Sequence, residues 1–112
     1  QRADELNVIY RRDSDMTLLQ LAETIKQVTA FIDSVDVIHL TIDLDVLPAS
    51  VMPGVSAPAS RGVDLAVIEA LINIVVKSGK VKLADIAEYN PNYDIDNCSA
   101  RVAARLFHLI TK

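Results

Sequence analysis

Asp43 and Asp45 stand two residues apart at the end of an apolar run, Thr41-Ile42-Asp43-Leu44-Asp45. A long stretch punctuated by Pro48, Pro53-Gly54 and Gly62 follows. On a strand, side chains at i and i+2 project from one face, so an extended Asp43–Asp45 segment holds its two carboxylates side by side. Adjacent carboxylates repel and are costly to desolvate unless a proton or a cation compensates them. A hard or borderline divalent metal ion is the simplest compensation. The plainer alternative is a strand-end pair that caps amides of the following loop. Glu88 closes a later apolar run, ahead of Tyr89-Asn90-Pro91, where it could serve a ligand or pair with an arginine.

The elements that must position these groups follow from periodicity. Residues 7–12 read as a short strand. Thr17 with Gln20 forms a capping-box pattern, with Met16 and Leu21 as its hydrophobic staple. Leu18, Leu21, Ala22, Ile25, Val28 and Ile32 then repeat at helical spacing. Residues 35–47 contain a second strand: Ile38, Leu40, Ile42 and Leu44 alternate with His39, Thr41, Asp43 and Asp45. Positions 46–62 form a long connection, and such loops are commonly functional. A helix over 63–78 is apolar on most sides, with Gly79 at its C′ position. Residues 81–88 make a third strand. Asp94 or Asp96 caps a last helix, whose Ala103, Leu106, Phe107 and Ile110 face the core.

The order β-α-β-α-β-α predicts an α/β fold, a parallel β-sheet with helices on both faces. Ligands of such sheets gather at the carboxyl ends of the strands. Asp43, Asp45 and Glu88 all lie at such ends and can converge.

Composition narrows the function. The chain has 112 residues, 51% of them hydrophobic, with two phenylalanines, three tyrosines and no tryptophan. One small domain with an aliphatic core is expected, and the aliphatic excess implies a surface packed against something further. A net charge of −4 without a Lys/Arg cluster disfavours nucleic acid. No apolar run approaches the ~18 residues of a membrane span. The single cysteine, Cys98, fits a reducing compartment, so a cytoplasmic location is expected. Cys98 reads as an inert thiol, His39 as a satisfied sheet residue and Arg61 as a solvated loop residue. His108 falls within the last helix.

The segment Thr41–Asp45 with Ala49, Pro53-Gly54 and Gly62 resembles the metal signature of the arginase/agmatinase (ureohydrolase) family. Asp85-Ile86-Ala87-Glu88-Tyr89-Asn90-Pro91 is similar to its later strand-end motif. Val46-Leu47-Pro48 and Pro53-Gly54-Val55-Ser56-Ala57-Pro58-Ala59 most resemble its formimidoylglutamase branch. Most arginases carry Asp where this chain has Leu47. The resemblance implies residues 1–112 are the C-terminal portion of one arginase-like catalytic domain, three-layered α/β/α. It implies hydrolysis of N-formimidoyl-L-glutamate to L-glutamate and formamide by two Mn²⁺ ions. Asp43 would bridge both metals, Asp45 would bind one, and Glu88 would receive the cationic head of the substrate. The family's remaining histidine and aspartate ligands lie upstream and have no counterpart here. The expected partners are therefore the missing N-terminal part of the domain, a small amidine substrate and further copies of the chain. The isolated segment is expected to be inactive. Another ureohydrolase activity, a haloacid-dehalogenase-type phosphatase and a non-catalytic assembly module are the competing readings.

Overall fold

The computed structural model describes residues 9–48, 50–54, 62–95 and 97–111. Three helices and two strands are present among them: α1 (Leu21–Asp33), β1 (Ile38–Asp43), α2 (Leu65–Lys77), β2 (Val81–Ala87) and α3 (Cys98–Thr111). β1 and β2 pair in parallel. A parallel pair needs a crossover, and α2 supplies it.

The expected first strand does not form over residues 9–12, and residues 7 and 8 lie outside the described residues. A strand exists only through its ladder, and this segment has no ladder partner among the described residues. It lies along α1 instead. The Arg11 guanidinium donates to Gln27 Oε1 (3.0 Å) and to the carbonyl of Asp15 (2.6 Å).

The start of the first helix also differs from expectation. Thr17 is extended, its side chain caps no amide, and a 3₁₀ turn over Leu18–Gln20 precedes α1. Thr17 Oγ1 lies 2.9 Å from the Gln20 side-chain amide. The two side chains satisfy each other, so neither closes the capping box. Leu18 and Leu19 are consequently exposed, and Thr24 and Ile32 are the buried residues of α1. At its other end, Lys80 Nζ donates to the carbonyls of Ile32 (2.6 Å) and Val35 (2.8 Å). That places a cation at the negative end of the helix dipole.

β1 alternates as its sequence predicts. Ile38 and Ile42 are buried and Leu40 half-buried, whereas His39, Thr41 and Asp43 are exposed. The strand stops at Asp43, and Leu44–Val46 form a 3₁₀ turn. The core gathers Ile42, Leu44, Leu47, Met52, Ile72 and Leu106, with Ile68, Ile86, Val102 and Ile110 packed against it. Phe107, expected in this core, is exposed. It neighbours Leu106 in sequence, about 100° around the helix, and Leu106 takes the inward direction.

Two glycines shape the connections. Gly79 follows α2 with φ +74°, the left-handed C′ residue expected there. Gly62 has φ +66°, and a Cβ on it would lie 2.7 Å from the backbone of Val46, Leu47 and Pro48. Only glycine permits both the conformation and the approach. The next residue, Val63, donates its N–H to Val46 O at 2.7 Å. The two ends of the long connection are thereby pinned together, immediately beyond Asp45.

Candidate active site

Asp43 ends β1 and is exposed, and its Oδ1 accepts from the Asp45 N–H at 3.4 Å. The amide-capping role is therefore present, though long for a hydrogen bond. Asp45 sits in the 3₁₀ turn rather than on the strand, a correction to the extended arrangement expected. The two side chains nevertheless meet. The Asp45 carboxyl is pushed above the ordinary carboxylate range, first by its side-chain hydrogen bond with Asp43. Partial burial and the negative charges of Asp43 and Glu88 push in the same direction. Charge of one sign thus accumulates at this end of the sheet, the situation in which a proton or a cation is taken up.

Glu88 follows the last residue of β2. In the ladder Asp43 pairs with Ala87, so Glu88 stands one position beyond Asp43 at the same sheet end. Its φ is +72°. A non-glycine residue there is uncommon outside Asn and Asp, and such strain persists only where surrounding structure imposes it.

That surrounding structure is a ring of hydrogen bonds. Gly54 N–H donates to Ser99 Oγ (2.7 Å), and Asn90 N–H donates to Gly54 O (2.5 Å). Asp94 caps α3, with Oδ1 accepting from Ser99 N (2.8 Å) and Ile95 N (2.8 Å), and Oδ2 from Ala100 N (3.1 Å). Tyr89 Oη donates to Asp94 Oδ2 at 3.1 Å. Burial alone would raise the Asp94 pKa, but the Ser99 backbone N–H and hydroxyl, with the N–H groups of Ala100 and Ile95, outweigh it and hold the carboxyl at about 2. The loop leaving Asp45 and the turn carrying Glu88 are both anchored on the first turn of α3. The Asp94 cap was expected from sequence; Ser99 was not. Its only sequence signal is a hydroxyl in the first turn of the helix.

The remaining candidates lie elsewhere. His39 Nε2 meets Asp85 Oδ2 at 2.8 Å, a satisfied sheet residue as expected. Cys98 Sγ contacts Val51 O at 3.6 Å, and His108 is exposed on α3. Asp96, Arg61, Ala49 and the segment Val55–Ala59 fall outside the described residues. An open apolar groove of about 290 Å³ runs from Asp43 between β1 and α2, walled by Leu40, Ile42, Val46, Ile68, Leu71 and Val75.

The donor chemistry suits a metal of the manganese kind, since Asp43 and Asp45 offer carboxylate oxygens only. Among the described residues no group of three or more His, Cys, Asp or Glu side chains could hold an ion. The two aspartates fit part of a coordination shell, and Glu88 acts on them through charge without joining a three-donor cluster.

The fold and site define an α/β protein with an acidic site at the carboxyl end of a parallel strand pair. The sequence matches the arginase family over residues 1–111, and the chain belongs to that family. It is 60% identical over 111 residues to the formimidoylglutamase of Aeromonas salmonicida (strain A449), covering 99% of this chain and 35% of that protein. To the formimidoylglutamase of Chromobacterium violaceum it is 56% identical over 104 residues, covering 93% of this chain and 34% of that protein. Among solved structures, formimidoylglutamase from Bacillus subtilis superposes with a TM-score of 0.87 at 25% identity, over 98% of this chain and 35% of that one. Arginase from Bacillus subtilis, at 22% identity, shares the fold with a TM-score of 0.87 over 97% of this chain and 39% of that one. The chain spans about a third of the length of its curated relatives. Family membership removes the phosphatase reading of the Asp-Leu-Asp segment. No helix among the described residues is long and apolar enough to cross a membrane.

Proposed function

We propose that the full-length protein carrying this chain hydrolyses the C–N bond of a linear amidine, converting N-formimidoyl-L-glutamate to L-glutamate and formamide. The observation that carries the reading is the gathering of Asp43, Asp45 and Glu88 at one sheet end, where Asp43 Oδ1 accepts from the Asp45 N–H and the charges of Asp43 and Glu88 both act on Asp45. Asp43 would bridge two manganese ions and Asp45 would bind one of them. Bound there, the metals would supply a water made acidic enough to act as nucleophile. Overall, water adds oxygen to the amidine carbon, the bond to the glutamate nitrogen breaks, and a proton passes to the leaving amine.

Glu88 takes the role that needs no metal bond. It follows the last residue of β2, its charge acts on Asp45, and its carboxylate could make charge-assisted hydrogen bonds to an amidinium. The anchoring of its turn on α3 fixes its direction, and positioning of this kind contributes to rate. The chain alone supplies two metal-binding carboxylates, so the activity is assigned to the longer polypeptide.

The experiment is a comparison of N-formimidoyl-L-glutamate, agmatine and arginine as substrates of the full-length, manganese-loaded protein. Formamide release from the first, well above urea release from the others, supports the reading. Preference for a guanidinium substrate would move it to another ureohydrolase activity.

A further inference from the structure

The β1–β2 ladder contains an irregularity that decides where Glu88 stands. Ile38 pairs with Val81, but His39 pairs with Leu83, so Lys82 has no partner. One extra residue on one strand is a bulge, rare between parallel strands and enriched beside active sites, where it re-aims side chains. Beyond it the ladder runs Thr41–Asp85, Ile42–Ile86 and Asp43–Ala87.

The pattern of β2 is compatible with two phases. Without the bulge, Leu83 would lie beside Leu40 and Asp85 beside Ile42 on the buried face, and Ile86 would come level with Asp43. With it, Ala84 and Ile86 turn inward, while Leu83 and Asp85 turn to the open face, where both are exposed. Leu83 favours the first phase and Asp85 the second. A one-residue slip exchanges the faces of every side chain beyond it, so one carboxylate can decide between discrete alternatives. In the observed phase Asp85 Oδ2 meets His39 Nε2 at 2.8 Å, and Thr41 Oγ1 lies 3.4 Å from the same nitrogen. His39 is two residues back from Asp85's ladder partner, a diagonal contact available only in the bulged register.

We propose that Asp85, seated against His39 on the open face, is a positioning residue that holds the Lys82 bulge and so sets Glu88 beside Asp43 and Asp45. The inference rests on reading those three as one site. The pair need not be strong to act in this way: half-exposed ion pairs contribute little stability, but here two registers are close in hydrophobic content and the contact exists in one of them.

The test uses the full-length protein with Asp85→Ala, His39→Ala, and the exchanged pair H39D/D85H. Crystal structures read the register directly and need no activity. Asp85→Ala is expected to lose the bulge, bringing Ile86 opposite Asp43, or to fail to fold. His39→Ala, in which the other phase would still bury the Asp85 carboxylate, is expected to keep the bulge at lower stability, and the exchanged pair to fold with the bulge present. On N-formimidoyl-L-glutamate Asp85→Ala should lose kcat/KM on the order of 100-fold, the scale of a misplaced binding group. Manganese content, held by ligands outside β2, should stay at the wild-type value, and the exchanged pair should recover most of the rate. An Asp85→Ala variant that keeps the bulge, or an exchanged pair no better than it, overturns the inference. Wild-type protein inactive on all three amidine and guanidine substrates would overturn the proposed function instead, and leave the register comparison standing.

Discussion

Gly54 and Ser99, 45 residues apart in sequence, are joined by a buried 2.7 Å hydrogen bond from the glycine N–H to the serine hydroxyl. A Cβ on Gly54 would lie 2.8 Å from both Ser99 Cβ and Oγ, and 3.1 Å from Tyr89 Cε1. The loop after Asp45, the turn carrying Glu88 and the start of α3 therefore meet at one point with no spare volume. Gly54→Ala is expected to lower stability by about 1–3 kcal/mol, the usual cost of overpacking. Ser99→Ala leaves the Gly54 amide without its acceptor and should cost about 1–3 kcal/mol. Urea unfolding of the full-length variants measures both.

Glu88 holds a left-handed conformation that costs an ordinary residue roughly 1–2 kcal/mol. Glu88→Gly should relieve it, and removal of a repelling carboxylate adds to the gain. Glycine's greater freedom in the unfolded chain offsets part of this, leaving a rise of up to about 1 kcal/mol. Glu88→Gln keeps the strain and removes the charge. Both variants should retain manganese and lose most activity on N-formimidoyl-L-glutamate. Loss of metal together with activity would show that Glu88 is a ligand.

The Asp94 cap gives a pH dependence of definite sign. Its carboxyl ionises at about 2 in the folded protein, below its ordinary value of 3.8. A depressed carboxyl contributes stability that is complete above the unfolded-state value and is lost as pH falls through the folded one. Wild-type protein should therefore lose stability between about pH 4 and 2 through this group. Asp94→Asn should be less stable at neutral pH and flatter across that acid window. Unfolding midpoints measured from pH 2 to 7 report the difference.

The 112-residue chain by itself is expected to be inactive and to associate. Its open sheet face exposes Leu83, and Val37, Phe107, Tyr93 and Ile95 are exposed elsewhere. Apolar surface of this kind favours self-association. Sedimentation should show oligomers, and formamide release should be absent. A stable monomer, or manganese-dependent turnover by the segment alone, would contradict this.

What the sequence disclosed follows the range of the interactions concerned. β1 was legible because one face is buried, which leaves strict alternation from Ile38 to Asp43. The Gly79 end of α2 and the Asp94 cap of α3 were legible because helix ends are governed by nearby residues. Asp45 was placed on the wrong element, since strand and 3₁₀ turn differ there only in where the ladder stops. The strand expected at 7–12 depends on a pairing partner that residues 9–12 do not meet among the described residues. Nothing in Glu88 signals a positive φ, because that conformation is imposed by the ring from Tyr89 and Asp94 to Gly54. The Lys82 bulge was hidden for a similar reason: Val81 and Leu83 alternate as though no residue were extra.

Metal analysis of the Asp43→Ala full-length protein tests the proposed bridging of two metal ions by Asp43 most directly. Because a bridge serves both ions, the variant is predicted to lose at least one manganese equivalent of the two held by the wild type. Two full equivalents of manganese in that variant would contradict the account.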